Sequence, residues 1–154
     1  MDISSFIARD NVLVGLRVSS KKQLLTELAA KASKALDLEE RTVFDTLLQR
    51  ERLGSTGMGN GIAIPHGKMP DLDGIFCMVA RLDSPINFDA VDDQPVDLVF
   101  LLLAPESAGA DHLKALARIS RLVRQDDVVA KIRAAKGGDA VYAVLTEAEA
   151  RDAA

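Results

Sequence analysis

Cysteine is nearly absent: the 154 residues contain one, Cys77. An internal disulfide is therefore impossible, and so is a CxxC metal or redox pair. Cys77 lies in the apolar run IFCMVA, where a thiol behaves as a small buried hydrophobe. Long apolar runs are missing as well. The longest, residues 98–104, spans seven residues, against the roughly 20 that a helix needs to cross a bilayer. The opening MDISSFIARD has an acid at its second position and no apolar stretch, so it does not read as a secretory signal, and a cytoplasmic protein is expected. Nor is there an excess of positive charge: 19 Lys and Arg stand against 23 Asp and Glu, a formal net charge of -4. That balance argues against a protein that binds nucleic acid by neutralising phosphates. Histidine is scarce, His66 and His112 being the two. With no HExxH, and with Asp89, Asp92, Asp93 and Asp97 reading as turn residues, no metal site is expected.

What is present is a chain of 48% hydrophobic residues, enough for one domain over residues 1–154 with an ordinary core. Val12, Val14, Leu16 and Val18 alternate with the period of a half-buried strand. Ser20 and Gln23 form a capping signal ahead of Leu24, Leu28 and Ala32, which predicts a helix over residues 20–36. Asp37 is expected to cap a second helix, with Val43, Phe44, Leu47 and Leu48 as its buried stripe and Arg50 near its C-terminal end. A glycine-rich loop, LGSTGMGNG, then leads into a short strand, IAI, and on to His66 between Pro65 and Gly67. Strands are predicted over residues 75–81 and 96–103, separated by turn material, and the second is apolar at nearly every position, as when both faces of a sheet are covered. Helical periodicity returns after residue 110, with Leu113, Leu116, Ala117, Ser120 and Val123 expected to face inward, and two shorter helices follow near Asp126 and Asp139. The order describes a mixed α/β sandwich built on a single sheet.

The loop invites a nucleotide-binding reading, which its spacing rejects. Gly57, Gly59 and Gly61 are followed by Ile62 where a dinucleotide fingerprint needs glycine, and Gly67-Lys68 is followed by Met69 where a Walker loop needs Ser or Thr. It reads either as a plain helix-to-strand connection or as an anion cradle of backbone N–H groups with Ser55 and Thr56 adding hydroxyls. Ser55 lacks the GxSxG surround of a hydrolase nucleophile. Pro65 and Gly67 hold the His66 ring in a rigid bend at a strand end, a geometry suited to presentation. His112 falls in the first turn of its helix, either solvated or as a neutral ring facing negative charge. Arg118, Arg121 and Arg124 share a helix face, which is a solvated edge or a docking surface for an acidic partner.

Arg50, the segment GSTGMGNGIAIPHGK and the later DHLKALARIS together resemble the EIIA proteins of the fructose/mannitol class of the bacterial phosphotransferase system. The resemblance covers essentially the whole chain. The opening ISSFIARDNVLVGLRVSSKKQLLTELA and the PHGK ending bring it nearest to the nitrogen-related branch. It implies a single mixed sheet flanked by helices, and phosphorylation of His66 at Nε2 by the phosphohistidine of an HPr-type carrier. His112 and Arg50 are its implied helpers, Ser55, Thr56 and Gly67 its implied phosphate-binding residues. No cofactor or metal is implied, because the donor is already an activated phosphoramidate. A regulator would stop at His66 and act on targets such as sensor kinases or potassium-transport components. A transport protein would pass the phosphoryl group to an EIIB domain, and a pure interaction module would never be phosphorylated. The stand-alone chain, without EIIB or EIIC material, favours the regulator.

Overall fold

The computed structural model describes residues 2–153; Met1 and Ala154, the ends of the expected 1–154 unit, lie outside them. The chain order is β1 (Ile7–Leu16), α1 (Lys21–Leu36), α2 (Glu40–Arg52), β2 (Gly57–Gly59), β3 (Ile62–Ala63), β4 (His66–Met69), β5 (Phe76–Ile86), β6 (Val96–Pro105), α3 (Ala110–Val123), α4 (Asp126–Ala134) and α5 (Gly138–Ala153). A 3-10 turn at Ile3–Ser5 precedes them. These six strands form one sheet in the order β1-β5-β6-β3-β2, with β4 also on β6. β5 and β6 are antiparallel, β1 runs parallel to β5, and β3 and β4 run parallel to β6.

The residues of β6 account for the layering. Leu98, Phe100 and Leu102 enter one core with α3, α4 and α5, while Val99, Leu101 and Leu103 enter a second with α1 and α2. Each such side chain stabilises the fold by about 1.5–3 kcal/mol on burial. Helices on both faces satisfy a strand that is apolar in both phases, and the result is the mixed sheet flanked by helices that was expected.

The site is set by an interruption opposite β6. Ile62 pairs with Leu98 and Ala63 with Val99; after the break His66 pairs with Leu102 and Gly67 with Leu103, in unchanged register. β3 and β4 are thus one strand line broken at Ile64-Pro65. Pro65 has no N–H for a ladder, yet its carbonyl accepts from Leu102 N–H at 2.9 Å. Ile64 N–H turns instead to the Thr56 carbonyl at 3.0 Å. Asn60 and Gly61, with φ of 57° and 79°, make the tight turn from β2 into β3.

Local signals with local partners match the structure. Ser20 Oγ accepts from Gln23 N–H at 3.1 Å, and Gln23 Oε1 accepts from Ser19 N–H at 2.7 Å, so α1 begins where its cap predicts. Other elements differ. Asp37 does not cap α2: it sits at φ 54° as the left-handed end of α1, and the α2 cap position is Glu39, without a side-chain bond. β1 begins at Ile7, ahead of the alternating run, because a register shift between Ile7 and Val12 breaks the alternation. β5 runs on to Ile86, through residues read as turn material. α3 is rotated from its expected face: His112, Ala115, Ile119, Leu122 and Val123 point inward while Leu113 is 68% exposed.

Candidate functional site

Arg50 stands in the last turn of α2, where the helix dipole favours a cation. His66 is the first residue of β4, half-buried, held by the Pro65 break. Its Nδ1 lies 2.8 Å from the Ile64 carbonyl oxygen, and its Nε2 lies 3.3 Å from Arg50 Nε. A carbonyl only accepts and a guanidinium only donates, so Nδ1 carries the proton and Nε2 offers its lone pair. Arg50 Nη1 donates to the Gly54 carbonyl at 2.8 Å, which fixes the guanidinium at the ring's Nε2.

His112, in the first turn of α3, is only 6% exposed and meets His66 edge to face, with ring centroids 5.6 Å apart and planes at 70°. The solvated alternative for this residue is thereby excluded. His112 Nε2 is the one buried side-chain nitrogen or oxygen among the described residues with no hydrogen-bond partner. Burial lowers the pKa of both histidines. For His66 the Ile64 carbonyl opposes that effect, Arg50 adds to it and Glu51 opposes it; for His112 the His66 ring and Lys68 add to it. Both rings are therefore neutral at pH 7.

The loop residues act differently from their expected role as hydroxyl donors. Ser55 Oγ donates to the Phe88 carbonyl at 2.9 Å and accepts from Gly57 N–H at 3.1 Å. Thr56 is buried, and its hydroxyl donates to Glu51 Oε2. Neither hydroxyl proton is directed at His66 in this arrangement. Gly67 lies under α2, where an added Cβ would come within 2.5 Å of Thr46 Cγ2, so its small size lets the helix that carries Arg50 approach β4. Arg118 pairs with Glu149 at 3.7 Å, whereas Arg121 and Arg124 are exposed. Among the acids read as turn residues, Asp92 accepts from Asn60 and Gln94 N–H groups and Asp97 pairs with Arg133.

Glu51 is the residue that sequence reading missed. Its side chain is 3% exposed, pairs with Lys21 Nζ at 3.0 Å and accepts from Thr56 N–H at 3.0 Å. The signal was present: Val43, Leu47 and Glu51 form an i, i+4 stripe on the buried face of α2, and an acid that continues an apolar stripe needs a reason.

A neutral imidazole with a fixed tautomer, a guanidinium at its free nitrogen and a second imidazole at its edge make an arrangement suited to receiving an anionic group. The fold around it is that of the phosphotransferase-system IIA domains: the mannitol IIA of Escherichia coli matches with TM-score 0.76 at 20% identity, over 90% of this chain and 97% of that one. The chain belongs to the family "Phosphoenolpyruvate-dependent sugar phosphotransferase system, EIIA 2", whose model matches residues 5–148. Within it the chain is 59% identical to a "Nitrogen regulatory protein" of Bradyrhizobium diazoefficiens, over 94% of this chain and 95% of that protein. The crystal structure of nitrogen regulatory protein IIA-Ntr from Neisseria meningitidis superposes with TM-score 0.89 at 33% identity, covering 94% of this chain and 99% of that one. Among the described residues no helix is long and apolar enough to cross a membrane.

Proposed function

We propose that this member of the phosphotransferase system is a cytoplasmic phosphohistidine carrier and regulator of the nitrogen type, accepting a phosphoryl group on His66 Nε2 from an HPr-type protein and acting on partners according to its phosphorylation state. The observation that carries this reading is the pair of bonds on the His66 ring, Nδ1 on the Ile64 carbonyl and Nε2 under Arg50. They leave a neutral nucleophile with one available lone pair, aimed at the single cationic side chain bonded to it.

In the transfer, the Nε2 lone pair forms the new N–P bond while the old P–N bond breaks and its electron pair returns to the carrier's imidazole. The proton stays on His66 Nδ1, donated to the Ile64 carbonyl. The transition state is loose and in line, so the protein chiefly positions the reactants and stabilises charge spread over three oxygens. Arg50 moves from the lone pair to those oxygens, where its fork suits a phosphoryl group. His112 Nε2 supplies a hydrogen bond from a site that otherwise leaves it unpartnered. Ser55, Thr56 and Gly67 serve the cradle by holding the loop and strand in place. The activated donor supplies the driving force, and the chemistry calls for no cofactor or metal. Leu53, 84% exposed and three residues after Arg50, and Leu113, 68% exposed and next to His112 in sequence, are apolar side chains open to contact by a carrier. The phosphoryl group adds about two negative charges to this surface, enough to change which partner binds.

Incubation with the general phosphotransferase enzyme, an HPr-type carrier and phosphoenolpyruvate tests the reading. An acid-labile phosphoryl group mapped to His66 and absent from His66→Ala is the expected result; an unlabelled chain would leave only an interaction module. The family's description as a sugar system favours a second reading, a transport IIA. Loss of the label to a candidate EIIB protein would support transport over regulation.

A further inference from the structure

We propose that Glu51 is a positioning residue for transfer at His66, acting through the loop between α2 and β3; the proposal rests on the reading of His66 as the acceptor. Its carboxylate takes three donors: Lys21 Nζ and Thr56 N–H on Oε1, and the Thr56 hydroxyl on Oε2. Lys21 in turn lies 4.5 Å from the centroid of the Phe88 ring, so the pair is held from both sides. One line of hydrogen bonds runs from this carboxylate to the acceptor ring, and another runs from the Glu51 main chain to Arg50. In the first, Thr56 is clamped by Glu51, its carbonyl accepts from Ile64 N–H at 3.0 Å, and the Ile64 carbonyl accepts from His66 Nδ1–H at 2.8 Å. In the second, the same loop carries Gly54, whose carbonyl holds Arg50 Nη1 at 2.8 Å and whose N–H donates to the main-chain carbonyl of Glu51 at 3.1 Å, a bond that does not involve the carboxylate.

The coupling is mechanical. The N–H and the C=O of Thr56 belong to different peptide groups, as do those of Ile64, so neither relays polarisation through amide resonance. What the Glu51 carboxylate sets, by clamping Thr56, is where the Ile64 carbonyl stands, and with it the tautomer of the acceptor ring. The Lys21 ammonium pairs the buried carboxylate, while the Glu51 charge itself acts to raise the His66 pKa against the effect of burial. Displacement of a catalytic group by about 1 Å lowers rates on the order of 100-fold.

The test compares Glu51→Gln with Glu149→Gln. Among the described residues Glu149 is the other buried acid; it lies on α5, accepts from Ile3 N–H and pairs with Arg118. Two quantities are read on the full chain: the rate of phosphoryl acceptance at saturating HPr-type carrier, and the tautomer of His66 from imidazole nitrogen resonances at a pH where the ring is neutral. The expected result for Glu51→Gln is a loss of about 10- to 100-fold in the saturated rate, an unchanged half-saturating carrier concentration, and a mixture of tautomers in place of the Nδ1–H form. Glu149→Gln should melt at lower temperature while keeping both readouts. Wild-type acceptance in Glu51→Gln, an unchanged tautomer, or a loss equal to that of Glu149→Gln at equal melting temperature would overturn the proposal. If Glu51→Gln does not fold, Thr56→Val removes the hydroxyl donor alone and must shift both readouts in the same direction, with Thr56→Ser as wild type. If the wild-type chain takes no label, the acceptor reading fails separately, and the tautomer measurement still decides whether Glu51 controls the ring.

Discussion

Replacing His112 with leucine separates stability from transfer. His112 Nε2 is buried without a partner, and an unsatisfied buried polar group costs about 1–3 kcal/mol. Leucine is apolar and of similar bulk, so the change removes that cost and introduces a shape mismatch worth less than about 1.5 kcal/mol. The net expectation is a gain of about 1 kcal/mol, which for a chain of this length raises Tm by roughly 2–4 °C. If the nitrogen serves the transferred phosphoryl group, the same change removes a charge-assisted hydrogen bond worth about 1.5–3 kcal/mol, or about 10- to 100-fold in rate. Calorimetry on the unphosphorylated chain and the initial rate of label transfer to His66 give the two numbers. A more stable, slower protein is the expected outcome. A lower Tm with an unchanged labelling rate would refute the reasoning on both counts, because it would make His112 an ordinary packing residue.

Arg50→Lys should lower the acceptance rate about 100-fold with little change in Tm, because one ammonium cannot reach both the Gly54 carbonyl and His66 Nε2 as the guanidinium does; rapid-quench labelling checks it. Gly67→Ala places a methyl group 2.5 Å from Thr46 Cγ2 and should cost about 1–3 kcal/mol by overpacking. Thr46→Ser removes that methyl and keeps the hydroxyl bond to the Thr42 carbonyl, so the double variant should recover most of the loss in thermal melts. Because burial lowers the pKa of both histidines, acceptance should stay level from pH 8 down to about 6.5 and decline only below the usual histidine value. The unfolded chain binds protons at these rings before the folded one does, so stability is full above about pH 6.5 and is lost as pH falls through the lowered values. A rate profile with its midpoint above the usual histidine value would contradict the burial argument.

The parts of the fold that were legible in the sequence are those whose partners are near in the chain or whose burial is complete. The α1 cap depends on Ser20 and Gln23, three residues apart, and β6 shows its two covered faces as an unbroken apolar run. β2 and β4 were not legible as strands, being three and four residues long and rich in glycine. β4 exists because β6 supplies a ladder for it from thirty-odd positions away. The Asn60-Gly61 pair was a hairpin signal, obscured by the other glycines of the loop. For α3 the apolar pattern itself misled. Leu113 and Leu116 suggest one face, yet the fold turns His112 and Ala115 inward and leaves Leu113 in solvent.

That failure and the missed Glu51 have a common physical origin. Periodicity arguments assume that apolar residues seek the core and polar ones seek water, and a site that must hold a polar group away from water breaks the assumption in both directions. At α3 a histidine is buried and a leucine exposed; at α2 a glutamate continues the stripe of Val43 and Leu47. Hydroxyls add a further ambiguity, since a sequence shows a donor without showing where its proton goes. Ser55 and Thr56 read as groups that hold an anion, and the structure gives their protons to Phe88 and Glu51. On the proposed function their contribution is rigidity, which Thr56 delivers through Ile64 to the His66 ring. On that account Thr56→Ser should transfer phosphoryl normally and Thr56→Val should not, the first losing only a methyl and the second the hydroxyl; equal rates in the two variants would show that the loop is held by something other than the hydroxyl bond to Glu51.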